Sequence, residues 1–258
     1  MVYALVVVYN KKCQDSPSLV RLLQENKNIN IIVYDNSSID YGNKNFCKKH
    51  GIMYYTQNKN LGLSKAYNFV VNKIKKNEKN YLLILDDDTD LPNDYFDEIY
   101  KEIQNNTFDI LLPIVMSNNQ IISPCNVQFN CRIKKVKEIN SIDLKKITAI
   151  NSGMVVKTSI YNTIKYNEKL FLDYVDHDFM KNVRLTNYKI KIMNTVIYQN
   201  FSRNTKNSIE SEIFRFNIYL KDFKKYCKDC NNLKFYYVSS LKYRINEVCK
   251  YKNLRFLK

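Results

Sequence analysis

An α/β protein is predicted, with a mostly parallel sheet covered by helices, a mixed extension and a helical C-terminal region. Short apolar runs, the segments of helical spacing between them and a change of composition near residue 205 carry that prediction. The runs are Val2 to Val8, Ile31 to Tyr34, Ile52 to Tyr55 and Tyr81 to Leu85, each the length of a buried strand. Between them lie Ser18 to Glu25, Tyr41 to Lys49 and Ser64 to Lys75, the last repeating Ala66, Phe69, Val70 and Ile74 at helical spacing. After Asp90, Leu91-Pro92 opens a helix to about Gln104. Strands follow near Ile110 to Val115, Gln120 to Pro124 and Ile147 to Lys157, a mixed rather than parallel arrangement. Beyond Ser208 the chain turns helical, basic and aromatic, so residues 1–204 are read as the main domain and 205–258 as an appended helical region.

The 258 residues are 45% hydrophobic, enough to fill a core, and carry a net charge of +16. That charge predicts attraction to polyanions, anionic lipid surfaces or phosphorylated substrates. A nucleic-acid-binding role is disfavoured, because no RNP, helix-turn-helix or zinc signature is present and two acidic clusters would go unexplained. The apolar run at the N-terminus is too short to span a bilayer and has no basic leader or cleavage site, so a cytoplasmic protein is expected. Seven Cys without regular spacing suggest reduced, packed thiols. Cys227-Lys228-Asp229-Cys230 is a lone CxxC in a chain with two His, a poor basis for a zinc site.

Ligands of open parallel sheets sit beyond the carboxyl ends of the strands. The four exits carry Tyr9-Asn10, Asp35-Asn36-Ser37-Ser38, Asn58 to Gly62 and Asp86-Asp87-Asp88-Thr89-Asp90. An Asp at the second exit can accept hydrogen bonds from a nucleoside, or simply cap a turn. Only four glycines exist, so GxGxxG and P-loop cradles are excluded, and a bound diphosphate would need cations. The Asp86 to Asp90 cluster can hold Mn²⁺ or Mg²⁺ through hard oxygen ligands. The same run spells DDxxD, a helical motif of prenyl synthases, and nearly spells the DxDxT of phosphoaspartyl phosphatases. It also reads as an acidic helix start, but its place after an apolar strand favours the metal. Asp173-Tyr174-Val175-Asp176-His177-Asp178 precedes a second helix; a carboxylate there can take a proton, or can merely decorate a helix N-terminus. His177 is expected on the surface.

In order, from residue 1 to about 203, these segments resemble family 2 glycosyltransferases, particularly bacterial enzymes of capsule and O-antigen polysaccharide synthesis and the rhamnosyltransferase-like branch. Val6-Val7-Val8-Tyr9-Asn10 looks like the opening strand, and Val33-Tyr34-Asp35-Asn36-Ser37-Ser38 like the VDNxS segment. Asn60-Leu61-Gly62-Leu63-Ser64-Lys65-Ala66-Tyr67-Asn68 resembles NxGxxxAxN, Leu85-Asp86-Asp87-Asp88 resembles LDxD, and Leu170 to Phe179 resembles LFIDYVDxE/DF.

The resemblance implies a GT-A fold, a Rossmann-like nucleotide-binding mixed sheet flanked by helices. It also implies inverting transfer from a UDP- or dTDP-sugar to a hydroxyl of a glycan or lipid-linked glycan. Tyr9, Asp35, Asn60, Gly62, Lys65, Asp86 and Asp87 are the implied donor side, with Asp35 on the nucleobase. Asp86 and Asp88 are the implied DxD pair, Asp88 being the direct metal ligand. Asp176 is the implied base, and Gly153, from Asn151-Ser152-Gly153-Met154, joins Asp173 and Asp178 on the acceptor side. Gln199, within Val196 to Ser202, stands where the family often places a metal-binding His. That departure keeps open a catalytically impaired nucleotide-sugar binder. The basic aromatic tail suits the anionic inner face of a membrane, or packing on the domain or in a homo-oligomer.

Overall fold

The computed structural model describes residues 1–25, 27–199 and 208–257. The first half alternates as expected: β1 (Val2–Val8), α1 (Pro17–Leu23), β2 (Ile29–Asp35), α2 (Asn43–Lys49), β3 (Met53–Thr56), α3 (Leu63–Val71) and β4 (Tyr81–Asp86). Then come α4 (Tyr95–Asn105), β5 (Ile110–Ser117), β6 (Gln120–Ser123), β7 (Cys125–Gln128), β8 (Arg132–Lys134), β9 (Ile147–Thr148) and β10 (Met154–Lys157). The remaining elements are α5 (Val175–Arg184), β11 (Ile190–Tyr198), α6 (Ile209–Asp229) and α7 (Leu233–Tyr251).

The main sheet has eight strands, in the order β11-β5-β10-β4-β1-β2-β3 with β6 paired to the C-terminal end of β5. β1 pairs in parallel with β2 and β4, and β2 with β3, whereas β10 runs antiparallel between β4 and β5. The exits of β1 to β4 therefore share one edge, the edge where a parallel sheet offers its ligand crevice. The single strand expected over Ile147 to Lys157 is two strands in two sheets, β9 joining the small sheet β8-β7-β9. The break lies at Asn151-Ser152-Gly153, where Gly153 takes φ +79° and an added Cβ would lie 2.5 Å from Ile197. That left-handed, crowded position demands glycine and turns the chain into β10.

Apolar side chains fill both faces of the sheet. One cluster holds Val6, Leu83, Phe96 and Ile197, and the other holds Leu5, Ile84, Tyr67 and Phe179. Phe223, Tyr226, Cys227 and Tyr236 of α6 and α7 belong to that second cluster. Each large side chain so buried contributes about 1.5–3 kcal/mol. The C-terminal helices thus complete a core begun by the sheet, while the boundary drawn at 204/205 falls outside the described residues. Cys227 and Cys230 are buried and reduced, with Cys227 Sγ 3.9 Å from Cys131 Sγ.

Candidate active site

Backbone geometry first fixes the acidic exit of β4. Ser18, in the first turn of α1, donates its hydroxyl to the Asp86 carbonyl at 2.5 Å and the Thr89 carbonyl at 3.0 Å, and Ser16 donates to the Asp87 carbonyl at 2.6 Å. These bonds hold the 86–89 turn, whose three carboxylates have different surroundings. Asp87 pairs with Lys11 at 3.0 Å, Asp88 is exposed, and Asp86 is half-buried. Asp86 accepts from Ser152 Oγ and from Gln199 Nε2, the latter at 3.2 Å. Burial first, then the Asp88 and Asp176 charges, push the Asp86 carboxyl up to about 6, against the pull of the Ser152 and Gln199 donors.

Asp176 belongs to the first turn of α5, 90 positions later in the chain, and its charge acts on Asp86 across the cleft. Tyr67 of α3 feels both carboxylates. Burial, then Asp86, with Asp176 adding to it, hold its phenol well above the ordinary value despite help from Asn151, so it stays a neutral hydroxyl. Asp86, Asp176, the neutral Tyr67 phenol and the polar side chains of Asn151, Ser152 and Gln199 are therefore gathered at the exit of β4.

Three buried oxygens near this exit have no hydrogen-bond partner among the described residues: Thr89 Oγ1, Asn151 Oδ1 and Gln199 Oε1. Gln199 uses its amide nitrogen on Asp86 and on Ser152 Oγ (3.0 Å), which leaves its carbonyl oxygen orphaned. No group of three or more His, Cys, Asp or Glu able to hold a metal exists among the described residues. Two carboxylates and an amide oxygen nevertheless fit a hard divalent cation that takes its remaining ligands from water and substrate phosphates.

The other strand exits are tied into one frame. Asp35 is 3% exposed, and its carboxylate already accepts from Ser37 N (3.0 Å), Asn43 Nδ2 (2.8 Å) and Tyr54 Oη (3.1 Å). Any nucleobase contact by Asp35 therefore competes with three donors in place. Asn36 and Asn60 clasp each other at 2.9 Å, and Asn60 Oδ1 also receives Gly62 N at 2.9 Å. Tyr9 is 50% exposed beside them, and Lys65 is exposed on the first turn of α3 with no ion pair among the described residues. Gly62, at φ +82°, lies so near Phe171 that a Cβ would sit 2.3 Å from the Phe171 carbonyl oxygen, which accepts from Leu63 N at 2.7 Å.

The sequence of one family accounts for this order of parts: the description "Glycosyl transferase family 2" matches residues 3–165. The chain belongs to glycosyl transferase family 2. It is 22% identical over 195 residues to dTDP-rhamnosyl transferase RfbF of Shigella flexneri, covering 74% of this chain and 65% of that protein. It is 26% identical over 200 residues to an uncharacterized glycosyltransferase of Methanocaldococcus jannaschii, covering 74% and 66%. The chain thus spans slightly less than two thirds of the length of these curated relatives. The crystal structure of S. aureus TarS 1-349 in complex with UDP has a TM-score of 0.56 at 14% identity, covering 88% of this chain and 81% of that one. That likeness establishes the GT-A fold expected from the sequence.

Within this family 2 frame, the residues expected on the acceptor side have the following surroundings. Gly153 is packed in the interior, its nitrogen donating to the Ile84 carbonyl at 2.9 Å and its carbonyl receiving the Tyr95 hydroxyl at 2.6 Å. It turns the chain so that Ser152 and Asn151 face the cleft. Asp178 is 2% exposed and paired with Lys181 at 2.6 Å, its charge acting on Tyr226 and Cys230 of α6 rather than on Asp86. Two positions along a helix is more than half a turn, which aims neighbouring acids apart. Asp173 is occupied by Arg215 through two bonds of 2.6 and 2.8 Å. His177 is half-buried, not on the surface, with Nδ1 2.8 Å from Thr148 Oγ1.

Asp222 of α6 was not visible as a site residue. Its carboxylate accepts the backbone N–H groups of Phe171 (3.0 Å), Leu172 (2.8 Å) and Asp173 (2.9 Å), fixing the strap that leads into α5. Nor does any motif mark Ser16, Ser18 or Arg215; their partners lie too far away in sequence.

Proposed function

We propose that the chain is an inverting glycosyltransferase moving a sugar from a UDP- or dTDP-sugar to a hydroxyl of a glycan or lipid-linked glycan in cell-surface polysaccharide synthesis. The observation that supports this reading is Asp86 at the exit of β4, bonded to Ser152 and Gln199 from distant parts of the chain and close enough to Asp176 in α5 to feel its charge. Tyr9 and the Asp35 strand end form the nucleoside side, and Asn60, Gly62 and Lys65 line the path to the diphosphate. Lys11 neutralises Asp87, which keeps that carboxylate from repelling the donor.

Asp86, Asp88 and the Gln199 carbonyl oxygen would hold a Mn²⁺ or Mg²⁺ ion, which when bound supplies positive charge to the departing diphosphate. Asp176 takes the proton of the acceptor hydroxyl as that oxygen attacks the anomeric carbon from the face opposite the diphosphate. One bond forms, one breaks, and the configuration inverts without a covalent enzyme intermediate. Tyr67 and Asn151 donate hydrogen bonds in the space between the two carboxylates and orient the reacting sugar.

Access to a lipid-linked acceptor is supported by α7, which buries Tyr236 and Ser240 and presents Tyr237, Val238, Leu241 and Ile245 outward among lysines. Such a stripe suits the anionic inner face of a membrane. No helix among the described residues is long and apolar enough to cross one. The deciding experiment incubates the purified protein with a panel of UDP- and dTDP-sugars and acceptors, with Mn²⁺ or with EDTA, and reads the product anomer by NMR. Inverted product that vanishes with EDTA is expected; donor binding with neither hydrolysis nor transfer would instead favour an impaired binder, to which the Gln199 substitution points.

A further inference from the structure

A second cavity lies at the opposite end of α5 from Asp176. It has a volume of about 1140 Å³ and is walled by β7, β8, the loop before β9, the last turn of α5 and the turn joining α6 to α7. Asp176 begins α5 and Lys181 and Arg184 occupy its last turn, so the helix links the two sites over about 12 Å. β9 touches both ends, receiving Arg184 Nη1 on the Ile147 carbonyl at 2.7 Å and placing Thr148 Oγ1 against His177.

The cavity is strongly cationic. Lys134, Lys135, Lys137 and Lys145 line it with Arg184 and have no carboxylate partner among the described residues. The two acids in its wall are already spent: Asp143 on Lys146 at 3.2 Å and Asp229 on Lys225 at 2.6 Å. Lys181 is answered by Asp178. Arg184 is half-buried, and desolvation lowers its hold on its proton, so an incoming anion relieves a cost already present in the fold. Arginine offers a fork matched to phosphate oxygens and the lysines offer point charges around it.

We infer that this cavity is a phosphate-binding subsite for the acceptor, which is therefore a phosphate-bearing glycan or sugar diphosphate. The word acceptor rests on the transferase reading; the anion site does not. A concave pocket takes a chain end rather than a planar bilayer. Its exposed aromatic is Phe129, too little for the stacking platforms that single-stranded nucleic acids use.

The test measures binding of inorganic tripolyphosphate by calorimetry in EDTA, which disables the cation-dependent donor site. Lys134→Ser/Lys135→Ser/Lys137→Ser, all exposed, should weaken binding by about tenfold and flatten its salt dependence. Arg184→Lys, which keeps the charge but loses the fork, should weaken it by a smaller factor, and UDP binding with Mn²⁺ should be unchanged in both variants. Competition by a water-soluble phosphodiester-linked oligosaccharide assigns a phosphoglycan, and competition by a lipid-linked sugar diphosphate in neutral micelles assigns the lipid carrier. Tripolyphosphate binding that is absent, that ignores the triple substitution, or that neither acceptor displaces would overturn the proposal. If the triple variant loses tripolyphosphate while the wild type transfers no sugar to any acceptor, the subsite stands and the transferase reading falls.

Discussion

The proposed donor side and the proposed acceptor side are built differently. On the donor side, consecutive strands of one parallel ladder deliver Tyr9, Asp35, Asn60 and Asp86 to a single edge, and short-range amide clasps finish the surface. On the acceptor side, the strap before Asp176 belongs to no sheet and is held from outside by Asp222 and Arg215, roughly 40 to 50 positions further along the chain. The first side is rigid because the sheet is; the second is as firm as the helix that grips it. The difference teaches that the C-terminal helices hold the segment that carries the proposed base.

The sharpest way to break the comparison is at the joint between the sides. Gly62→Ala puts a Cβ 2.3 Å from the Phe171 carbonyl oxygen at a φ of +82°, and should cost about 3–5 kcal/mol in denaturant unfolding. Next comes the grip itself. Asp222→Ala strips the acceptor from three backbone N–H groups and should cost about 2–4 kcal/mol, with transfer falling more than donor binding. If transfer and donor binding fell equally, the two sides would not be separable.

The donor side was legible because its signals are local. Apolar runs of strand length name β1 to β4, and the topology of a parallel sheet then brings their exits together whatever lies between. Asp86 stands out this way, as the polar residue beyond an apolar stretch, whereas Asp176 was pointed to by the family resemblance. Around α5, proximity in sequence is a poor guide to which acids share surroundings. Asp173 and Asp178 flank Asp176, yet Arg215 claims one and helical rotation turns the other towards Lys181. Asp222 sits in a Lys-rich helix with nothing to distinguish it from a solvated acid, although it is 1% exposed. The strand expected from Ile147 to Lys157 failed for a related reason: apolar residues flank Gly153 on both sides, and periodicity ignores the left-handed turn between them.

Asp86 adds a test by pH. Its carboxyl stands at about 6 in the folded chain and at an ordinary 3.8 when unfolded, so the folded state binds the proton more tightly. Without divalent cation, stability should be greatest below pH 4 for this group and be lost as pH climbs from about 4 to about 6, a change on the order of 2–3 kcal/mol. Asp86→Asn should flatten that slope, and Mn²⁺ should offset the loss. The smallest effect belongs to the rim. Arg215→Lys keeps the charge but loses the two-pronged contact with Asp173, and thermal unfolding should register less than about 1 kcal/mol because Arg215 is 47% exposed.

The claim beneath the whole account is a division of labour between the Asp86 and Asp176 carboxylates. Titrating a UDP- or dTDP-sugar in the presence of Mn²⁺ into Asp86→Asn and Asp176→Asn, alongside single-turnover transfer, tests it directly. Asp86→Asn should lose donor affinity, whereas Asp176→Asn should keep it while transfer drops by about 10²- to 10⁴-fold. Comparable loss of donor affinity in both, or unimpaired transfer by Asp176→Asn, would contradict the assignment.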